Sequence, residues 1–107
     1  MREVACGIMR NKEGEILMGL RHCGYWEFPG GKLERGESIQ NCLKREWLEE
    51  LNLKIEIDKE IYDCKYGRYF CRFFTGKIID EENISVNVHK KIEFLDIDAI
   101  RKLKLFE

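Results

Sequence analysis

Val4 to Met9 is apolar and ends at the charged, glycine-containing stretch Arg10-Asn11-Lys12-Glu13-Gly14, after which Glu15 to Leu20 turns apolar again. Two short apolar runs separated in this way predict a β-hairpin. Cys23 to Gly31 combines Tyr25, Trp26 and Phe28 with Pro29 and two adjacent glycines, which predicts a strand running into a constrained loop. One clear helical period follows, over Ser38 to Leu51, with Ser38 placed as an N-cap and Asn52 where a left-handed residue would stop the helix. From Lys54 onward the pattern turns to β. Ile55 and Ile57 alternate with charges, Tyr69 to Ile79 is aromatic and β-branched, and Ile84 to Ile92 is partly alternating. Apolar positions at Ile97, Ile100, Leu103 and Leu105 or Phe106 predict a short final helix over Asp96 to Phe106. The order of elements gives an α/β or α+β class with one mixed sheet.

At about 100° per residue, Glu46, Glu49 and Glu50 fall on one helical face. Traced backwards, that face carries Ile39, Cys42 and Leu43, and Leu53 lies nearly in line past its end. A charge run on a helix is usually a solvated face, but this one continues the apolar stripe. Like charges there repel and lose hydration unless a cation offsets both costs, and Lys44 and Arg45 lie off the arc. Oxygen-only ligands favour Mg²⁺ or Mn²⁺ over zinc, and such ions commonly bridge to substrate phosphate. The preceding loop is complementary: Gly30 and Gly31 allow close backbone approach, Pro29 stiffens the entry, and Lys32 can set a point charge near a phosphate.

Composition narrows the partners. A chain of 107 residues with 44% apolar and 36% charged residues is read as a single globular domain, 1–107, and not as a disordered or fibrous one. A net charge of -1 gives no electrostatic case for a nucleic-acid polymer, so any anion must be bound locally. Five scattered cysteines with no C-x-x-C pair point away from a zinc site and towards reduced thiols. No stretch is long and apolar enough for a membrane span and the N-terminus lacks a signal-like apolar region, so a soluble cytoplasmic protein is expected.

Gly31, Glu37, Arg45, Glu46, Glu49, Glu50 and Leu53 resemble the Nudix box over residues 31–53, G-x5-E-x7-R-E-U-x-E-E-x-G-U with U a bulky apolar residue. Trp47 stands at the first U and Asn52 at the last glycine. Val4 to Arg21 and Trp26 to Glu34 further resemble the MutT branch, the nucleoside triphosphate pyrophosphohydrolases. The resemblance implies an α/β/α sandwich and a Mg²⁺-dependent hydrolase cleaving the diphosphate linkage of nucleoside triphosphates, with oxidised purines of the 8-oxo-dGTP type as candidates. ADP-ribose, dinucleoside polyphosphates or nucleotide sugars are alternative substrates, and a nucleotide-binding module of the same fold without turnover is an alternative of another class. By position, Glu46, Glu49 and Glu50 would hold the metal with the Gly30 carbonyl. Arg45 would orient the carboxylates, and Glu37 would support the metal through a water or contact Arg45. Arg21 would reach the nucleotide and Phe28 line the base pocket. Val88 occupies the place where relatives carry a glutamate as general base, which leaves His89 or Glu93 to serve. The C-terminal helix is shorter than usual for the family. The sheet around Tyr69 to Phe74 is therefore expected either to pair two copies as a homodimer or to leave an open base pocket.

Overall fold

The computed structural model describes residues 1–103. The elements run β1 (Arg2–Arg10), β2 (Ile16–Leu20), β3 (Trp26–Glu27), β4 (Gly30–Lys32), α1 (Ile39–Leu51), β5 (Lys54–Tyr66), β6 (Tyr69–Asp80), β7 (Lys91–Leu95) and α2 (Ile97–Arg101). The sheet order is β3-β2-β1-β6-β5, with β4 on β1 and β7 on β2. β1 and β6 are parallel while the other pairs are antiparallel, so the expected mixed sheet forms. β1 and β2 are in register only at Arg10 and Ile16. They splay from there, and the chain from Trp26 to Lys32 crosses the gap, pairing first with β2 and then with β1.

α1 buries Ile39, Cys42, Leu43, Trp47 and Leu51 on one sheet face, against Ala5, Met9, Phe74 and Ile78. Its ends behave as the sequence predicts. The Ser38 hydroxyl accepts from the Asn41 N–H at 3.1 Å, and Asn52 is left-handed, with φ 55°. Its side chain adds a bond that glycine could not, donating to the Asn83 carbonyl at 2.8 Å. Trp47 fits where a smaller aliphatic side chain is usual because Gly7 faces it. A Cβ on Gly7 would lie 2.7 Å from the indole nitrogen. That indole N–H donates to the Pro29 carbonyl at 2.8 Å, tying the helix to the chain that enters β4. The opposite sheet face carries a smaller cluster, Ile16, Met18 and Ile100 with Trp26, Phe28 and Leu95, under α2. The layers make the expected α/β/α sandwich.

Three expectations change. Gly30 and Gly31 lie in a strand, β4, and are not part of a free loop. Ile84 to Ile92 is not a strand up to Lys91: residues 81–90 are irregular, and only Lys91–Leu95 pairs, with β2. The physical reason is the end of α1, whose last carbonyls have no partner within the helix. The Ser85 N–H donates to the Leu51 carbonyl at 2.9 Å, the Asn87 N–H to that of Glu50 at 3.1 Å, and Asn87 Nδ2 to that of Glu49 at 3.0 Å. The final helix is the short α2, capped by Asp96, whose Oδ1 accepts from the Ala99 N–H at 2.8 Å. Leu105 and Phe106 lie outside the described residues.

Candidate active site

One guanidinium organises the outer half of the acidic face. Arg45 grips Glu37 with two nitrogens, Nε to Oε2 at 3.0 Å and Nη2 to Oε1 at 2.8 Å. Its Nη1 donates to Glu46 at 2.8 Å and Glu49 at 2.9 Å, and Nη2 reaches the Lys32 carbonyl at 3.3 Å. A planar fork with five N–H donors can hold this many oxygens at fixed angles, which a lysine cannot. The Arg45 hydrogen bonds, helped by the Glu34 N–H, hold the Glu37 carboxyl down at about 2. Although Arg45 leaves the helix off the carboxylate arc, its length brings the charge back over Glu46 and Glu49. Of the two roles open to Glu37, contact with Arg45 is the one observed.

The inner half is different. The side chain of Glu50 is 8% exposed, whereas that of Glu49 is 54% exposed. No lysine or arginine ion pair reaches Glu50 among the described residues. Burial first, and then the Glu46 carboxylate, push its carboxyl well above the usual range, with Glu27 and Glu49 adding to the effect. Gly31 leaves the space this arrangement needs, since a Cβ there would come within 2.3 Å of the Glu46 carboxyl carbon. Behind Glu50 lies His89, its side chain 1% exposed, with Nε2 2.7 Å from Glu27 Oε2 and Nδ1 4.0 Å from Glu50 Oε1.

The remaining expected residues divide. Arg21 Nη1 lies 3.5 Å from Glu27 Oε1, which links it to the site through Glu27. Lys32 is exposed, its ammonium 5.2 Å above the Tyr69 ring. Phe28 lies in the cluster on the opposite sheet face and meets Phe73 edge-on at 6.3 Å. Val88 is exposed. Glu93 pairs with Lys91 at 3.5 Å and stays on β7, away from the acidic face. Glu27 joins the site without being among the expected residues. Its signal in the sequence is a single charge inside the aromatic run Tyr25-Trp26-Glu27-Phe28. A groove of about 310 Å³ lined by Gln40, Lys44, Ile57 and Phe74 contains none of these residues.

The donor set fits a hard divalent cation. It is all oxygen, and it includes a buried carboxylate crowded by others with no lysine or arginine among the described residues to neutralise it. Among the described residues no three His, Cys, Asp or Glu side chains are already gathered as a cage. Arg45 holds Glu46 and Glu49 outward while Glu50 faces inward, so a cation would compete with Arg45 for two of its ligands. All five cysteines are free thiols. No helix among the described residues is long and apolar enough to cross a membrane.

The NUDIX domain family profile matches residues 1–106. The chain is similar to an 8-oxo-dGTP diphosphatase of Haemophilus influenzae, 39% identical over 66 residues, which cover 57% of this chain and 48% of that protein. It is also similar to an RNA pyrophosphohydrolase of Hydrogenovibrio crunogenus, 30% identical over 108 residues, 81% of this chain and 66% of that one. The crystal structure of a MutT protein from Methanosarcina mazei shares the fold, with a TM-score of 0.85 at 19% identity, over 98% of this chain and 84% of that one. The chain spans about half the length of the first curated relatives it matches. With the acidic helix, its glycine-lined approach and a family match along nearly the whole chain, the protein belongs to the Nudix family and is MutT-like.

Proposed function

We propose that the chain hydrolyses the diphosphate linkage of a nucleoside triphosphate or related nucleoside diphosphate derivative, releasing pyrophosphate and a monophosphate from a triphosphate. The observation that carries this reading is Glu50, a buried carboxylate beside Glu46 with no lysine or arginine to neutralise it. Mg²⁺ or Mn²⁺, held by Glu46, Glu49, Glu50 and the Gly30 carbonyl, would neutralise phosphate charge and activate water there. Arg45 then positions the carboxylates, with Glu37 anchoring its fork. Lys32 and Arg21 supply positive charge for the phosphates and the nucleotide. Phe28 and Phe73 offer an aromatic face to the base. Similarity to 8-oxo-dGTP diphosphatases supports triphosphates, oxidised purines included, as the first substrates to try.

The free thiols suit a reducing cytoplasm. The half-buried Phe73 face serves either to pair two copies, which sedimentation reads as a dimer, or as an open base pocket, which gives similar efficiency across purine and pyrimidine triphosphates. The function is tested by pyrophosphate and phosphate release with Mg²⁺ across nucleoside triphosphates, 8-oxo-dGTP, ADP-ribose, a dinucleoside polyphosphate and a nucleotide sugar. Turnover that excess chelator abolishes is expected. No turnover on any of them, with nucleotide still bound, would favour a binding module.

A further inference from the structure

We infer that His89 is a positioning residue for the Glu50 carboxylate, the middle member of a buried line Glu27–His89–Glu50; this rests on the reading of Glu50 as a metal ligand. The ring is not placed as a general base on solvent. Its side chain is 1% exposed, and both nitrogens face carboxylates, Nε2 at 2.7 Å from Glu27 and Nδ1 at 4.0 Å from Glu50. Nδ1 is the one fully buried side-chain polar atom without a hydrogen-bond partner among the described residues. A buried imidazole nitrogen in that state calls for an explanation, because burial removes its water. Packing alone does not supply one, since a phenylalanine would fill the space without desolvating two nitrogens.

The backbone fixes where the ring stands. Asn87 is bonded to the Glu49 and Glu50 carbonyls, and the Lys90 N–H donates to the Leu20 carbonyl at 2.8 Å. His89 is therefore held between two anchored neighbours, one on the end of α1 and one on β2. The ring lies against Gly19, where a Cβ would fall 2.4 Å from Cδ2 and 2.6 Å from Nε2. Two elements, the end of α1 and β2, thus set one nitrogen edge towards a carboxylate of the acidic face. Nδ1 stands 4.0 Å from Glu50 with no other partner, and loss of a group that hydrogen-bonds a metal ligand from behind commonly weakens metal binding about 10- to 100-fold.

The test compares the full chain with His89→Phe, His89→Asn, His89→Gln and Gly19→Ala. The readouts are Mn²⁺ affinity of the nucleotide-free protein, followed by electron paramagnetic resonance of free Mn²⁺, and kcat and KM on a triphosphate the parental chain turns over. His89→Phe is expected to weaken Mn²⁺ binding about 10- to 100-fold and to lower kcat, with the nucleotide KM changed less than about twofold. His89→Asn keeps a polar atom near the place of Nδ1 and is expected to recover part of the affinity. His89→Gln, which reaches instead towards Glu27, is not. Gly19→Ala displaces the ring without altering its chemistry and is expected to match His89→Phe. A folded His89→Phe with parental Mn²⁺ affinity and kcat overturns the inference. Should that variant fail to fold, the Asn and Gln pair decides, and Gln binding Mn²⁺ as well as Asn or better overturns it. A parental chain that binds no Mn²⁺ overturns the metal reading itself, and with it this one.

Discussion

Glu37 and Glu50 serve the same helical face under opposite electrostatics. Glu37 meets a permanent cation, with both its oxygens on Arg45 at 2.8 and 3.0 Å, and its carboxyl is held at about 2. Glu50 is buried next to Glu46, has an imidazole edge 4.0 Å away, and is pushed upward by the lost hydration. The outer half of the site has a built-in cation as folded, one guanidinium shared by Glu37, Glu46 and Glu49. The inner half is left with an unbalanced negative charge whenever Glu50 ionises, and an incoming cation offsets it. A single cluster thus holds a rigid frame and a strained receptor.

The comparison breaks most directly at Glu50. Glu50→Gln is expected to lower turnover at least about 100-fold while the fold persists, because it removes a ligand charge and no packing volume. In chelator the same variant should melt no lower than the parental chain. It should also lose most of the Mg²⁺-induced stabilisation, which for one site at about 100 times its Kd amounts to about 2.7 kcal/mol, and with it the matching rise in Tm. Parental turnover under limiting Mg²⁺ would refute the assignment of the inner half.

Arg45→Lys tests the frame. A lysine keeps the charge but not the fork, so turnover should fall about 10- to 100-fold and, unlike in the first variant, Tm in chelator should fall too. Retained stability would mean that the Arg45 network contributes nothing to the fold.

The two halves also differ in their sign with pH. Glu37 has a depressed folded value, so its stabilisation is present above the ordinary 4.5 and is lost as pH falls towards about 2. Melting of Glu37→Gln against the parental chain should show a gap at neutral pH that closes through this acid window. Glu50 has a raised value, so in chelator its contribution is present below 4.5 and is lost as pH rises. Any advantage of Glu50→Gln should therefore grow towards alkaline pH, where Mg²⁺ binding and turnover also strengthen because less proton must be displaced. Gaps running the other way would reverse the assignment of frame and receptor.

The smallest effect belongs to the helix stop that both halves share. Asn52→Gly keeps the left-handed turn and loses the bond to the Asn83 carbonyl, so stability should change by less than about 1 kcal/mol and turnover hardly at all. A large loss would show that the loop over residues 81–90 depends on that bond.

The acidic face of α1, both its caps, the mixed sheet and the glycine approach were legible in the amino-acid sequence. Each is a local pattern: carboxylates three and four apart, a serine before and an asparagine after the helix, and alternation along strands. The early segments were read well for the same reason, as hairpin runs with a glycine turn between them. The alternation over Ile84 to Ile92 reads as a strand, but only its last two residues pair, because the backbone of the preceding ones bonds to the end of α1, some thirty to forty residues earlier in the chain. The orienting role of Arg45 came from the resemblance and not from helical angle, which gives the direction of Cβ and not where a long side chain ends. His89 and Glu27 are 62 residues apart, and no period connects them. Sequence alone determined which carboxylates share a face, because that depends on neighbours along one helix. Only the tertiary structure decided which of them received a built-in cation and which was buried without one, because burial and long-range contact are properties of the packed chain.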